Sequence, residues 1–368
     1  MAWWIQPLSR LLAEYCVEAW RGDQAVILAG LDAVPLVRGL YRELASRGTL
    51  PLAIYRDEYA MDLVNRLAPP EVLATPHRLM EHLVKEMDIL ISIRSGLHTK
   101  PLTGLPPERL QAVTTAQGRF IEVFMERDKD PGFRWTATIY PSLSLAQEAG
   151  LSPVEFEDLV VEALKLGEPD PVEAWRGQAE WQEKIASALG RFDEIRIVAP
   201  GTDLTLKVGG RTWINDDGKK NMPGGEVFTG PVEDSVEGHI EFDYPSIWRG
   251  VEVEGVRLVF KRGEVVEATA RRGEEALKAL LSVDEGARRV GELAFGLNYG
   301  IRRYTKIILL DEKIGGTMHM ALGAGYPSIG SVNRSKIHWD MVKSLEEGVV
   351  YGDGDVIYRN GRFIEEVL

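Results

Sequence analysis

The sequence predicts an α/β protein with an N-terminal α/β domain over residues 1–190, containing a largely parallel sheet, and a C-terminal α+β domain over residues 191–368. In the first half, short apolar runs alternate with segments of helical periodicity, which is typical of parallel strands joined by helices. Near Asp193 the sequence changes to short β-rich segments separated by glycine-containing turns. The length of 368 residues is sufficient for two domains.

The N-terminal elements follow from apolar periodicity. Strands are predicted over QAVILAG (24–30), LPLAIYR (50–56), DILISIRS (88–95) and RWTATIYP (134–141). Helices are predicted over 34–48, 61–68, 76–87, 106–128, 152–167 and 170–192. Ser152 and Glu155 have the spacing of a capping box, which fixes the start of the fifth helix.

The C-terminal half is predicted to be mainly β, with one helix over GEEALKALLSVDEGARRVGELAF (273–295). The β-rich segments are 194–216, 239–247, 251–272 and 349–365. Hairpin-type turns are expected at Val208-Gly209-Gly210, Arg262-Gly263 and Asn360-Gly361.

Composition excludes several classes of function. The chain is 45% hydrophobic and 27% charged, as expected of a globular protein, and its net charge of -13 argues against binding to nucleic acid or to an anionic membrane. The single cysteine, Cys16, rules out an intrachain disulfide and a cysteine-rich zinc site, and its apolar surroundings favour a buried core thiol over a nucleophile. We find no signal peptide and no apolar run of membrane-spanning length, so a cytoplasmic location is expected.

Seven ligand-type side chains within 226–340 indicate metal chemistry. Several carboxylates with two histidines suit zinc, cobalt or manganese, and two ions sharing a carboxylate typically catalyse hydrolysis. The sequence therefore predicts a metal-dependent hydrolase with its site in the C-terminal half. The seven residues are Glu226, Glu292, Glu312, His319, Tyr326, His338 and Asp340.

The segment KIHWDMV is predicted to be a buried strand. Side chains two apart on a strand share a face, so His338 and Asp340 should point the same way and Trp339 the other way. The pair can bind a metal, or the carboxylate can orient the imidazole. Taken alone, a buried His–Asp hydrogen bond without a metal explains this pattern equally well.

The segment IILLDEKIGGTMHMALG brings acidic and imidazole groups together. The apolar run IILL ends at Asp311 and Glu312, Gly315-Gly316 allows a sharp turn, and the chain returns with His319 in an apolar setting. A lone histidine in this setting is more often a satisfied core residue, but Glu312 should lie nearby.

Two further glutamates stand in apolar contexts. Glu226 follows the pair Gly224-Gly225, which lets the backbone pass close to a neighbour, although this segment alone also fits an ordinary turn glutamate. Glu292 is predicted within the helix at 273–295, among apolar neighbours, where a carboxylate is rarely buried unless it is paired or binds a metal. The chain contains no HExxH motif, no G-x-S-x-G nucleophile elbow and no Walker loop.

Five segments together resemble the thermophilic-type metallo-aminopeptidases, the family of aminopeptidase T and aminopeptidase S. The resemblance is dense in the C-terminal half and reaches the N-terminal half through WTATIYPSLSLAQEAGLSPVEFEDLV. The segments, which occur in the family's order, are GTDLTLKVGGRTWINDDG, NMPGGEVFTGP, DEGARRVGELAFGLN, DEKIGGTMHMALG and IHWDMV.

The resemblance implies a centre of one or two divalent ions that removes N-terminal amino acids from peptides. It implies a homodimer in which the N-terminal domain packs on or over the partner's catalytic domain. The family's metal-site and catalytic positions match Glu226, Glu292, Glu312, His319, Tyr326, His338 and Asp340. The chain departs from some members by a longer gap between Glu312 and His319, and the stretch from Tyr326 to His338 is short.

We therefore expect a metallo-aminopeptidase acting on peptides with a free N-terminus. The alternatives are a dipeptidase or another metal-dependent amide hydrolase, or a non-catalytic protein that binds metal or peptide. Its apolar flanks make Glu292 the expected carboxylate shared by two ions, with His319, His338 and Asp340 completing one and Glu226 with Glu312 the other. Glu226 or Glu312 should act as the base, and Tyr326 as a ligand or as the oxyanion donor.

Overall fold

A computed structural model describes residues 2–248 and 251–367. Contacts between Cα atoms divide the chain into two compact units, Met1–Ala174 with Gly218–Met222, and Trp175–Asp217 with Pro223–Leu368. The predicted boundary near residue 190 stays a prediction about independently folding domains, which a division of contacts does not test.

The helices within the described residues include one π-helical segment and several short 3₁₀ turns. The α-helices are α1 Ile5–Arg10, α2 Val34–Ser46, α3 Glu58–Leu67, α4 Pro70–Leu73, α5 Arg78–Glu86, α6 Pro107–Arg127, α7 Leu143–Glu148, α8 Pro153–Ala163, α9 Pro171–Leu189, α10 Glu274–Leu280 and α11 Ile308–Asp311. The π-helical segment is Leu11–Cys16, and the 3₁₀ turns are Leu31–Ala33, Glu285–Arg288, Pro327–Ile329 and Glu365–Val367.

The strands are numbered in chain order. They are β1 Gln24–Gly30, β2 Leu50–Arg56, β3 Ile89–Arg94, β4 Arg134–Ile139, β5 Glu194–Ala199, β6 Thr202–Lys207, β7 Ile214–Asp216, β8 Asn221–Met222, β9 Glu226–Thr229, β10 Glu237–Glu241, β11 Ser246–Trp248, β12 Val251–Val253, β13 Arg257–Lys261, β14 Glu264–Thr269, β15 Val290–Gly296, β16 Thr317–Gly323, β17 His338–Ser344, β18 Val349–Gly352, β19 Asp355–Arg359 and β20 Arg362–Phe363.

The first unit contains a five-stranded sheet in the order β2-β1-β3-β4-β8, with every neighbouring pair parallel. This arrangement confirms the predicted α/β class with a parallel sheet. β1 and β2 have the bounds predicted from their apolar runs. The edge strand β8 is unexpected, because it lies beyond residue 190 in the sequence and two residues carry no periodicity that could reveal it.

Local signals in the first unit are also confirmed. The Ser152 hydroxyl accepts a hydrogen bond from the Glu155 amide, and the Glu155 carboxylate accepts one from the Ser152 amide, which completes the capping box of α8. Cys16 is buried, as expected of a core thiol. In the part of the chain that the structure describes, no helix is both long and apolar enough to cross a membrane.

The second unit contains two antiparallel sheets. The larger has eight strands in the order β14-β13-β10-β6-β5-β18-β19-β20, and the smaller has five in the order β17-β16-β15-β9-β7. The predicted turns at Arg262-Gly263 and Asn360-Gly361 close hairpins, and all four residues have positive φ. The turn at Val208-Gly209-Gly210 is not a hairpin, because β6 and β7 belong to different sheets.

The prediction of a helix over 273–295 is correct for Glu274–Leu280 and wrong for the residues that follow. α10 ends at Leu280, a short turn capped by Asp284 follows, and Val290–Gly296 is the central strand β15 of the five-stranded sheet. Every residue of β15 is buried. A strand buried on both faces shows no alternation of apolar and polar residues, so its pattern resembles that of a buried helix.

Candidate metal centre

One face of the antiparallel five-stranded sheet in the second unit carries several polar side chains. Strand pairing places Glu226 opposite Asp216, and Ala321 opposite both Glu292 and Asp340. Because side chains alternate along a strand, His319 and His338 join these carboxylates. The alternate positions, which pack in the core, include Val227, Leu293, Phe295, Met318, Met320, Trp339 and Met341. The predicted shared face of His338 and Asp340, opposite Trp339, is confirmed.

Glycines let the chain approach this face closely. Gly225 has φ +118, and a Cβ there would lie 2.6 Å from the Asn298 Cβ. Its carbonyl accepts a hydrogen bond from the Leu297 amide at 2.7 Å. The close backbone approach expected of Gly224-Gly225 is therefore present, and it delivers Glu226 to the first position of β9.

Glu292, His338 and Asp340 form one group. Each offers a ligand atom, and these atoms all lie within 4.8 Å of one another. His338 Nδ1 donates to the Ala324 carbonyl at 2.8 Å, which turns Nε2 toward the carboxylates, 3.4 Å from Asp340 Oδ1. A backbone carbonyl bound to the second ring nitrogen is the usual support of a metal-binding histidine.

His319 forms a second group with Glu226 and Glu292. Its Nε2 lies 3.1 Å from Glu292 Oε1 and 3.5 Å from Glu226 Oε2, and its Nδ1 lies 3.1 Å from the Glu312 carbonyl oxygen, to which it can donate. Glu292 therefore lies beside both histidines. The geometry groups His319 with Glu226, whereas the sequence suggested that His319 belongs with His338 and Asp340.

A buried lysine, which sequence reasoning missed, completes the centre. Lys313 is 0% exposed, and its Nζ lies 2.7 Å from Asp216 Oδ2, 2.5 Å from Glu226 Oε1 and 2.9 Å from Glu312 Oε1. Asp216 was also missed. The signal available was a lysine directly after Asp311-Glu312 and between apolar runs, where a solvated charge is unusual.

Glu312 lies at the more open side of the centre. Its side chain is 18% exposed, compared with 7% for Glu226 and Glu292. The apolar run IILL that leads to Glu312 includes the short helix α11, and Glu312 is the C-cap residue of that helix. Burial raises the pKa of Glu312 above its usual value.

The pKa values of the centre show an excess of negative charge. Burial raises the pKa of Glu226 to about 8, although Lys313 and His319 act in the opposite direction. Burial lowers the pKa of His319, but the nearby Glu226 and Glu292 carboxylates outweigh it and raise this pKa to about 9. The Asp340 carboxylate likewise outweighs burial at His338, whose pKa rises to about 10. Protons are bound tightly where a divalent cation would compete for the same atoms.

The residues present fit a divalent metal. Glu226 Oε2 and Asp340 Oδ1 are buried and accept no hydrogen bond from the described residues, although each lies within 3.5 Å of a histidine Nε2. A buried carboxylate oxygen without a donor is costly. Carboxylate oxygen beside imidazole nitrogen is a donor set that zinc, manganese and cobalt accept.

Tyr326 lies beside this centre and is 41% exposed. Its ring centroid is 5.3 Å from that of His338 and 6.4 Å from that of Phe228. Burial of the hydroxyl and the surrounding carboxylates raise the pKa of Tyr326 well above 10. The hydroxyl therefore stays protonated at neutral pH and can donate a hydrogen bond.

A glutamine holds the strands that carry the acidic residues. Gln182 is fully buried, and its Nε2 donates to the carbonyls of Asp216 and Glu226 at 3.0 and 3.2 Å and to Asn215 Oδ1 at 2.7 Å. Sequence reasoning missed this role, because Gln182 lies within the polar pattern of a long helix.

The fold and this centre define a metal-dependent hydrolase, and comparisons identify its family. Residues 4–363 match the family described as "Thermophilic metalloprotease (M29)", to which the chain belongs. It is 30% identical to aminopeptidase T of Thermus thermophilus, over 98% of each chain, and 26% identical to aminopeptidase PepS of Streptococcus thermophilus, also over 98% of each. The solved structure of wild-type AmpT from Thermus thermophilus matches with a TM-score of 0.86 and 28% identity, covering 98% of this chain and 99% of that one.

These findings confirm the recognition made from the sequence segments. The protein is a metal-dependent aminopeptidase, a peptide hydrolase that uses a divalent metal. The α/β fold with one parallel sheet and separate antiparallel sheets is also that of the matched structure.

Proposed function

We propose that the centre binds two divalent ions that share Glu292. One ion would be held by Glu226, Glu292 and His319, and the other by Glu292, His338 and Asp340. The observation that carries the proposal is the pair of buried carboxylate oxygens, Glu226 Oε2 and Asp340 Oδ1, that each face a histidine nitrogen without a hydrogen bond from the described residues.

Charge balance supports the count of two ions. Five carboxylates converge on the centre, and the Lys313 ammonium balances one of them, which leaves four negative charges for two divalent ions. The oxygen-rich donor set suits zinc, cobalt or manganese and should exchange them more readily than a cysteine site would. The five carboxylates belong to Asp216, Glu226, Glu292, Glu312 and Asp340.

The remaining residues would move protons and stabilise charge. When bound, the ions supply Lewis acidity and make a nearby water acidic near neutral pH. Glu312, which is paired with Lys313 and partly open to solvent, would take the proton from the attacking water and pass it to the leaving amine. The Tyr326 hydroxyl would donate to the oxyanion that develops on the peptide carbonyl.

The substrate would be a peptide with a free N-terminus. An exopeptidase must hold the substrate ammonium, and a centre rich in carboxylates attracts that cation. The acidic composition disfavours nucleic acid and anionic membranes as partners.

We also propose that the protein is a homodimer. Helix α3 contains no buried residue, and Tyr59, Leu63 and Leu67 on it are 76%, 44% and 76% exposed. Apolar side chains clustered at the surface in this way are typical of an interface. The N-terminal segment MAWWI adds little to this argument, because Trp4 and Ile5 are buried and only Trp3 of its two tryptophans is exposed, at 62%.

The decisive experiment measures release of a free amino acid from a dipeptide. Exhaustive removal of metal by a strong chelator should abolish the release, and zinc, cobalt or manganese should restore it. An N-acetylated peptide of the same sequence should not be cleaved. Full activity in metal-free protein would overturn the metal role, and equal cleavage of acetylated and free peptides would indicate an endopeptidase or a general amidase.

A further inference from the structure

Lys313 has surroundings that resemble those of a bound cation. Its ammonium is enclosed by carboxylate oxygens of Asp216, Glu226 and Glu312 at 2.5–2.9 Å, and no part of the residue is exposed. A buried ammonium is expensive unless several partners satisfy it. Here the ammonium donates a hydrogen bond to Glu226 Oε1 and forms ion pairs with all three carboxylates. Burial by itself lowers the pKa of Lys313. The Coulomb attraction of the three carboxylates outweighs this effect, so the pKa of Lys313 lies well above its ordinary value.

The ammonium also limits which oxygens of the neighbouring carboxylates are available to bind a metal. It occupies Glu226 Oε1, which leaves Oε2 to face His319 at 3.5 Å. It also holds Glu312 Oε1, at 2.9 Å. A carboxylate tied to a fixed ammonium in this way is less free to become a ligand of a metal.

We propose that Lys313 is a positioning residue that fills a cation site formed by Asp216, Glu226 and Glu312. By occupying this site it keeps out an additional divalent ion, limits Glu226 to one ligand oxygen and reserves Glu312 for proton transfer. The inference rests on the proposed two-metal function, but it concerns the number of ions bound and not the reaction.

The test compares the metal content of purified variants by mass spectrometry after equilibration with excess manganese. Lys313→Ala removes the charge and opens the space, so it should bind one more ion per chain than the wild type. Lys313→Met removes the charge but fills the space, so it should not gain an ion. Adding Asp216→Asn to Lys313→Ala should cancel the gain, because the site loses one of its three carboxylates.

Lys343→Ala is the matched control. Lys343 is another buried lysine, on the core-facing side of β17, where its Nζ donates to the Pro200 carbonyl and to Asp243. Its removal should leave the metal content at the wild-type value. Thermal unfolding followed against manganese concentration gives a second readout, in which Lys313→Ala should be stabilised more steeply than the wild type or Lys343→Ala.

Each outcome decides a separate point. Unchanged metal content in folded Lys313→Ala, or the same gain in Lys313→Met and Lys343→Ala, would overturn the inference. Failure of Lys313→Ala to fold at any manganese concentration, while Lys343→Ala folds, would also count against it, because an entering ion should replace the lost charge. A wild type that binds no divalent metal would instead overturn the proposed two-metal function.

Discussion

At the scale of single residues, Glu292 carries the largest share of the metal proposal. It is 5% exposed, lies 3.1 Å from His319 Nε2 and belongs to the group with His338 and Asp340. The apolar neighbours of Glu292 in the sequence match its burial in the structure, although the predicted helix at this position is the strand β15. Apolar neighbours in the sequence indicate burial in a strand as well as in a helix, so burial could be predicted without the correct secondary structure.

Glu292→Gln should therefore reduce binding at both proposed ions. The amide keeps the size of the side chain but loses the negative charge, so bound metal should fall and kcat/KM should drop by more than the roughly 10–100-fold seen for changes around a ligand. Metal analysis together with dipeptide hydrolysis measures both effects. Glu285→Gln, an exposed position just before β15, is the control and should resemble the wild type. Full metal content in Glu292→Gln would exclude a ligand role.

Tyr326→Phe separates two roles that the sequence left open. Because the hydroxyl stays protonated, we expect it to act as an oxyanion donor, so kcat should fall by roughly 10²–10³ while metal content is unchanged. A loss of bound metal would indicate a ligand instead. Normal turnover with normal metal content would leave Tyr326 as a packing residue against His338 and Phe228.

At the scale of elements, apolar periodicity predicted most of the strands and helices but not their partners. β1 and β2 were predicted to the residue, and β17 was predicted with the correct face for His338 and Asp340. Asp216 and Lys313 were missed because their significance is long-range: Lys313 meets Asp216 across 97 positions of sequence, a pairing that no local pattern encodes. The candidate site could thus be predicted in its ligand types, but not in its internal contacts.

Acidic side chains from other parts of the chain accept hydrogen bonds from the segment between Tyr326 and His338. Glu233 accepts hydrogen bonds from the Val332 amide at 2.7 Å, from Ser331 at 3.2 Å and from Arg211 at 2.6 Å. Asp284 accepts hydrogen bonds from Ser335 and from the Lys336 amide. The segment between Tyr326 and His338 is therefore both short, as the sequence shows, and held in place by hydrogen bonds to its backbone and side chains.

Glu233→Gln should destabilise the protein in a manner that depends on pH. Burial raises the pKa of Glu233, but the hydrogen bonds and the Arg211 charge outweigh it and lower that pKa below its value in the unfolded chain. The stabilisation is therefore complete above the unfolded pKa, near 4.3, and is lost as pH falls through the lower folded value. We expect about 1–3 kcal/mol between wild type and variant at pH 7, decreasing in acid.

Chemical denaturation from pH 7 down to about pH 4 measures this difference. Glu267→Gln is a suitable control, because Glu267 is exposed and forms a surface ion pair with Arg257 at 3.3 Å. Its effect should stay within about 0.5 kcal/mol at every pH. A difference at Glu233 that grows as the pH falls would contradict the assignment.

At the scale of the whole molecule, the predicted N-terminal α/β and C-terminal α+β domains are each continuous in sequence, whereas the two compact units of the structure are not. Gly218–Met222 belongs to the first unit although the flanking residues belong to the second. The excursion places the edge strand β8 beside β4 and ends shortly before Glu226. Glu226 of the candidate centre and a strand of the other unit are thus neighbours in the sequence, so no boundary drawn from composition could separate them.

The exposed apolar face of α3 is the proposed interface of the homodimer. Tyr59, Leu63 and Leu67 are spaced by four residues, so they share one face of α3. The double substitution Leu63→Asp with Leu67→Asp places two charges on that face, and should convert the dimer to a species of about 41 kDa, the mass of one chain. Because α3 contains no buried residue, each chain should stay folded after the change, which circular dichroism checks.

Light scattering after size-exclusion chromatography at micromolar concentration measures the mass. Val266→Asp is the matched control, since Val266 is 58% exposed on β14 and lies far from α3 in the sequence. That variant should keep the wild-type mass. A wild type of about 41 kDa would exclude the dimer, and a dimer that survives both substitutions on α3 would mean that the exposed apolar face of this helix is not the interface.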